Sequence, residues 1–159
     1  MALRKTRRKK SPRRILENAL DTSWRSVGKE NAVCEVCATL LPGKRSNYRK
    51  LDAHHIIGRG NKLLKWDLRN RCFLCSTHHT FGNPCAEKNQ GGWFLNWFSD
   101  EDWMGTHRSE DKEYLREKKK VTYKRWTMDE LRELKKGLEA VRDNETPDEY
   151  EQEILANFG

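Results

Sequence analysis

Residues 51–83 read LDAHHIIGRGNKLLKWDLRNRCFLCSTHHTFGN, and this stretch decides the fold. Leu51 to Ile57 is apolar around two histidines and β-branched at its end, which predicts a strand. Gly58 to Leu68, opening on Gly58-Arg59-Gly60-Asn61, predicts a long loop. Arg71 to Leu74 predicts a second short strand, with a helix beginning near Cys75. Four of the chain's five histidines fall here, as the adjacent pairs His54-His55 and His78-His79 with Asn70 between them. Successive residues on a strand face opposite sides, so His54 and His55 can serve two different tasks. Phosphodiester hydrolysis needs two such tasks: a cation at the scissile phosphate and a base for the attacking water. Histidine, ordinarily titrating near neutrality, suits both.

Thiols supply a second constellation. Cys34-x-x-Cys37 offers two thiolates upstream. Two registers complete a tetrahedral zinc site: Cys75-x-x-His78, giving Cys₃His, or Cys72-x-x-Cys75, giving Cys₄. One zinc takes four ligands, whereas this part of the chain offers at least seven candidates, so two metal sites, or one plus a base, use the residues better. The bland alternative, a zinc ribbon that only binds nucleic acid, uses the same cysteines.

The order His-His, Asn, then Leu-Cys followed by a histidine pair resembles the HNH endonuclease family, whose core reads His-His or Asp-His, Asn, and Leu-Cys-x-x-Cys-His. His78 stands here where the commonest family pattern has a second cysteine. The likeness covers residues 34–83 at motif level. More loosely it reaches back into the basic N-terminus and the LDTSW segment, which are similar to phage recombination endonucleases of the lambda NinG kind. The resemblance implies an α+β chain with a small ββα-metal core, a β-hairpin crossed by one helix. It implies His55 as general base, His54 and His79 as ligands of a catalytic divalent ion, and Asn70 holding loop and base by hydrogen bonding. Asn83, a helical turn beyond His79, would face the same side and steady phosphate or metal, and Arg59 would contact DNA phosphate. The family spacing from Asn70 to His79 selects Cys34, Cys37, Cys75 and His78 for structural zinc, leaving Cys72 a buried strand thiol. Mg²⁺ or Mn²⁺ is the implied catalytic ion, although two neutral imidazoles accept Zn²⁺ or Ni²⁺ as well. The implied products carry 5′-phosphate and 3′-hydroxyl ends.

Outward from this core, residues 1–14 hold eight of the chain's 32 basic side chains and no acid, so the other 145 residues balance at 24 basic and 24 acidic. A basic arm on a neutral body predicts a disordered polyanion-binding tail over 1–14, with Arg7, Arg8, Lys9 and Lys10 on phosphate. The zinc-stapled core is expected over 15–100, opening with a helix from Ile15 to Trp24, and a helical extension over 101–159. Trp93, Phe94, Trp97 and Phe98 form an aromatic stripe read as core packing. A charged helix is predicted over 109–120. Thr127-Met-Asp-Glu130 is a capping box, followed by Leu131, Leu134, Leu138 and Val141 on one face. Thr146-Pro-Asp-Glu149 starts a last helix. These C-terminal helices are candidate surfaces for a second copy of the chain or for a phage or replication protein.

Hydrophobic residues make up only 35% of the chain, so the core must be small and metal is one way to brace it. No apolar run approaches a membrane span, and no apolar segment follows the N-terminal charges as in a signal peptide. Cysteines in close pairs suit metal binding in a reducing cytoplasm, a host bacterial one for a phage protein, better than disulfides. The sequence therefore predicts a metal-dependent DNA endonuclease, directed by the phage likeness toward recombination or branched intermediates. The alternative is a zinc-stabilised DNA-binding or adaptor protein without turnover.

Overall fold

The computed structural model describes residues 9–40, 50–83, 85–88, 94, 108–121 and 123–143. Pro42, Gly43 and Ser46 predict a loop over 40–47; beyond Leu40 it lies outside the described residues, as do most of the aromatic stripe, the last helix and residues 1–8. Helix α1 runs Pro12–Ser26, capped by Ser11, whose hydroxyl accepts from the Arg14 amide, with Pro12 in the first turn. It thus starts three residues before the expected Ile15. Pro12, Arg13 and Arg14 of the predicted arm belong to the helix, and Arg13 donates to the Trp126 carbonyl at 3.0 Å. Cys34-x-x-Cys37, whose spacing predicts a turn, enters helix α2, Glu35–Leu40.

Strands β1, Leu51–His55, and β2, Arg71–Cys75, form an antiparallel pair in which His54 faces Cys72 and His55 faces Arg71. The expected extension of β1 to Ile57 does not occur. There the buried amide of Asn70 takes over the backbone: its Oδ1 accepts from Ile57 N at 2.6 Å, and its Nδ2 donates to the carbonyls of Ile57 and Leu64 at 2.9 Å each. Past β2 the helix expected near Cys75 is a single wide π-turn, Thr77–Phe81, ended by extended Gly82. Helix α3, Ser109–Lys118, and helix α4, Met128–Arg142, follow.

Two buried clusters flank the hairpin. One gathers Val36, Leu51, Ile56, Leu64, Leu74, Phe94 and Leu115 around the cysteines. The other packs Leu20 and Trp24 of α1 against Trp66, Trp126 and Leu131, Leu134 and Leu138 of α4. Helix α4 buries the stripe that its 3.6-residue spacing predicts, and is as integral to this core as α1. Three indoles pin the loop between the strands to the helices. Trp24 donates to the Asp67 carbonyl (2.9 Å), Trp126 to the Lys62 carbonyl (2.9 Å), and Trp66 to the Asp21 carboxylate (2.7 Å). Arg108, part-buried, bridges α3 to the rest through Glu35 (3.1 Å), the Arg71 carbonyl (2.7 Å) and Asp111 (2.7 Å).

Among the described residues no helix is long and apolar enough to cross a membrane. At Thr127 both reciprocal capping-box bonds are present, Glu130 N to Thr127 Oγ1 at 3.2 Å and Thr127 N to Glu130 at 2.6 Å. Thr127→Ala is expected to cost about 1 kcal/mol and to lower the thermal midpoint by about 2–4 °C, read by circular dichroism; an unchanged midpoint would show that α4 does not depend on its cap.

Candidate metal centre and histidine cleft

Helix α2, the end of β2 and the π-turn bring four donors together. Cys34 Sγ, Cys37 Sγ and Cys75 Sγ lie 3.5, 3.4 and 3.4 Å from Nδ1 of His78, and Cys37 and Cys75 are 4.0 Å apart. All four donor atoms fall within 4.8 Å of one another. Donors about 2.0–2.3 Å from one central zinc are separated by about 3.5–3.8 Å, so this set fits a tetrahedral Cys₃His zinc site. Burial pushes the Cys34 thiol up, and burial together with the neighbouring Cys34 and Cys75 pushes Cys37 up to about 12. Such thiols ionise together only when a cation compensates the charge, and zinc supplies that compensation. Cys72 is not part of the set. It is fully buried on β2 opposite His54, and burial raises its thiol far above the ordinary range. Cys85 is a buried thiol donating to the Thr80 carbonyl at 3.2 Å.

On the other side of the π-turn His54, His55, Arg59 and His79 line a cleft of about 560 Å³ together with Phe94, Ala86 and Glu87. His54 and His79 meet edge-on with ring centroids 5.3 Å apart. With metal–nitrogen bonds near 2.1 Å, two imidazoles sharing one ion at a tetrahedral angle stand about 5 Å apart, a separation of the same order. Burial, then the neighbouring His79, His55 and Arg59, hold the His54 pKa at about 4, which keeps its ring neutral and its lone pair free near pH 7. The Asp52 carboxylate, on the same strand face as His54, lies 3.4 Å from Nδ1 of His79. The Thr80 hydroxyl lies 3.1 Å from the same nitrogen.

His55 points away from His54, as strand alternation requires. Its ring stacks on Trp24 at 4.1 Å, and Nε2 lies 2.8 Å from the Lys65 carbonyl. A carbonyl can only accept, so Nε2 carries the proton and Nδ1 keeps its lone pair. Burial lowers the His55 pKa to about 4, against the Lys65 carbonyl, which favours the charged ring, and with help from Arg59.

Of the residues expected from sequence, the fold brings His54, His55, His79 and Arg59 to one cleft and Cys34, Cys37, Cys75 and His78 to one cluster. Asn70 stays out of the cleft, fully buried and closing the loop that carries the Lys65 carbonyl. Asn83 does not line the cleft; the π-turn stops at Phe81 and extended Gly82 breaks the helical register that would have placed it above His79. Lys9 and Lys10 are exposed ahead of α1, and Arg7 and Arg8 lie outside the described residues. Trp24, Asp52 and Glu87 were not singled out from sequence. Asp52 alone had a signal, a carboxylate two residues before His54 and so on its face. No family model, curated protein or solved structure matches this chain.

The metal assignment has a direct test. Purified protein is expected to hold one tightly bound zinc per chain by elemental analysis. Cys72→Ser should keep it and Cys75→Ser lose it, whereas zinc lost from Cys72→Ser and retained by Cys75→Ser would reverse the assignment.

Proposed function

We propose that this protein is a metal-dependent DNA endonuclease of HNH type, with the Cys₃His cluster as its structural zinc site. The observation that carries the reading is the cleft, lined by His54, His55, His79 and Arg59, in which the His54 and His79 rings meet and the proton of His55 is fixed by a carbonyl. In this reading Arg59, exposed at the cleft mouth, draws in and orients a phosphate by charge. His55 receives the water proton at Nδ1, its ring held by Trp24 and the Lys65 carbonyl against tilting away. His54 and His79 present ring nitrogens to a divalent ion, Mg²⁺, Mn²⁺, Zn²⁺ or Ni²⁺. That ion, when bound, supplies charge neutralisation at the phosphate and the leaving oxygen. The excess of basic residues around an otherwise balanced body adds sequence-independent attraction for DNA, which salt weakens.

The rival reading, a zinc-braced DNA-binding protein without turnover, draws on the Cys₃His cluster alone. It leaves unexplained why Nδ1 of His55 is kept unprotonated on the strand that also carries His54 into the cleft. Incubation of supercoiled plasmid with each divalent ion, with and without EDTA, separates the two: ion-dependent nicking supports the enzyme, and DNA binding without nicking under all ions supports the rival. A four-way junction, a flap, a linear duplex and a single strand, compared side by side, then rank substrates by shape.

His55→Ala is expected to slow nicking at least about 10²-fold, the ordinary contribution of a positioned base; wild-type rates in this variant would remove His55 from the mechanism. The pH profile gives a second check. A base works only when deprotonated, and burial holds His55 near 4 rather than at the ordinary 6.5. The acid limb of kcat/KM due to His55 is therefore expected close to pH 4, with no loss as pH falls through 6.5. A limb centred at 6.5 would contradict a buried neutral base.

A further inference from the structure

Trp126, just ahead of α4, ties together three stretches of chain that are rich in basic residues and contain no acid. Its carbonyl accepts from Arg13 of α1 at 3.0 Å, and its indole donates to the Lys62 carbonyl, in the loop between the strands, at 2.9 Å. The stretches are KKSPRR (9–14), RGNKLLK (59–65) and KKKVTYKR (118–125), with four, three and five basic residues respectively. Part of this charge is neutralised within the fold, Arg13 on Glu17, Lys65 on Asp21, Lys120 on Glu117 and Lys124 on Glu130. Lys9, Lys10, Arg59, Lys62, Lys119 and Arg125 are exposed and make no ion pair among the described residues. Three residues of loop, at most about 11 Å of chain, separate Lys62 from Arg59 at the cleft mouth. The unneutralised cations past α3 therefore join those of the cleft through a single indole hydrogen bond, and cations gathered in this way attract a polyanion.

The residues between α3 and α4 add an aromatic ring to this charge. Trp126 is buried, and Lys124 lies half-buried with its ammonium 5.0 Å from the Trp126 ring. Val121 and Tyr123 turn the other way, 49% and 72% exposed. Tyr123 thus offers its ring to solvent in the middle of the basic stretch, whereas Trp24, Trp66 and Trp126 are all buried. Lysines and arginines serve the phosphates of a duplex or of a single strand equally well. A solvent-facing ring among them suits the single strand, whose unpaired bases have faces free to stack. We propose that residues 118–125, together with Lys62 and Arg59, form a track for an unpaired nucleic-acid strand leading off the cleft, with Lys119 and Arg125 on its phosphates and Tyr123 stacked on a base. The substrate class this names is DNA with a single-stranded arm. The inference rests on the nucleic-acid part of the reading above, which the endonuclease and its rival share, and binding is measured without cleavage.

The test follows, by fluorescence anisotropy over a salt series, the binding of a labelled single strand and of the blunt duplex of the same length to zinc-loaded full-length protein. No other divalent ion is added, and circular dichroism and zinc content confirm that each variant is folded. Tyr123→Ala is expected to weaken single-strand binding at least about fivefold, the lower end of what one base stacked on an aromatic ring contributes, and duplex binding distinctly less; Tyr123→Phe should retain the affinity. Lys119→Gln combined with Arg125→Gln is expected to flatten the slope of log Kd against log salt on the single strand by about 1.4, as for two lost phosphate contacts. Unchanged single-strand affinity in Tyr123→Ala, or an equal loss on strand and duplex, would overturn the stacking role and the unpaired strand with it. An unchanged salt slope in the double variant would overturn the track. Displacement of the labelled strand by polyglutamate as readily as by unlabelled strand of matched charge would assign the face to an acidic protein and overturn the inference. Strand binding with the expected dependences in a protein that nicks no plasmid with any ion would sink the endonuclease reading and leave this inference standing.

Discussion

The buried side-chain amide of Asn70 is the interaction on which the rest of the site depends. A loop of some fifteen residues joins two strands of only five, and a hairpin that short cannot order so long a connection by pairing alone. Asn70 supplies the missing bonds from inside. One amide satisfies the Ile57 amide and the carbonyls of Ile57 and Leu64, so both ends of the loop are tied to one fully buried point. The three indole bonds from Trp24, Trp66 and Trp126 then hold the loop's outer surface to the helices. The result is a rigid Lys65 carbonyl at 2.8 Å from His55, so the tautomer of a cleft histidine is decided by a residue that never touches the cleft. Removing the amide would leave buried backbone groups unpaired, each costing about 1–3 kcal/mol, and would free the carbonyl that orients the base.

The second economy is in the core. Apolar side chains are few, and the two clusters that exist lie on separate sides of a two-stranded sheet. Neither strand pair nor short α2 would be stable alone. A zinc held by the Cys₃His cluster would join α2, β2 and the π-turn at one point, replacing hydrophobic area that a chain of this composition does not contain. The opposite cluster needs no metal because two fifteen-residue amphipathic helices, α1 and α4, close over Trp66 and Trp126.

What the sequence displays well is periodicity and ligand chemistry. The two strands, the charged helix and the capped helix at Thr127 could be read from spacing, because each depends on residues close in sequence; for the four thiolate and imidazole donors spacing left Cys72 and His78 as alternatives, and only the family resemblance favoured His78. The end of β1 could not, since whether Ile56 and Ile57 extend the strand is decided by Asn70, thirteen residues on. Neither could the role of Trp24, whose ring reaches His55 only after α1 has docked. Asn83 misled for a related reason: an i, i+4 rule presumes a continuous helix, and Gly82 ends this one. Ala86 and Glu87, which line the cleft, gave no signal, because they reach it through backbone bonds made after that break.

The π-turn at 77–81 explains how one short segment serves two sites. Adjacent residues in a helical turn diverge by about 100° or less, so His78 and His79 cannot point at the same atom. His78 is directed to the three cysteines and His79 to His54 and Asp52. The turn is too short to hold its own geometry, and its ends are fixed from outside: Cys75 anchors it to β2 through the thiol cluster, and residues 85–87 bond back along it. Loss of the structural donors would therefore release His79 as well as His78. The cleft is thereby coupled to the cysteine cluster through neighbouring residues of a single turn, although the two share no side chain.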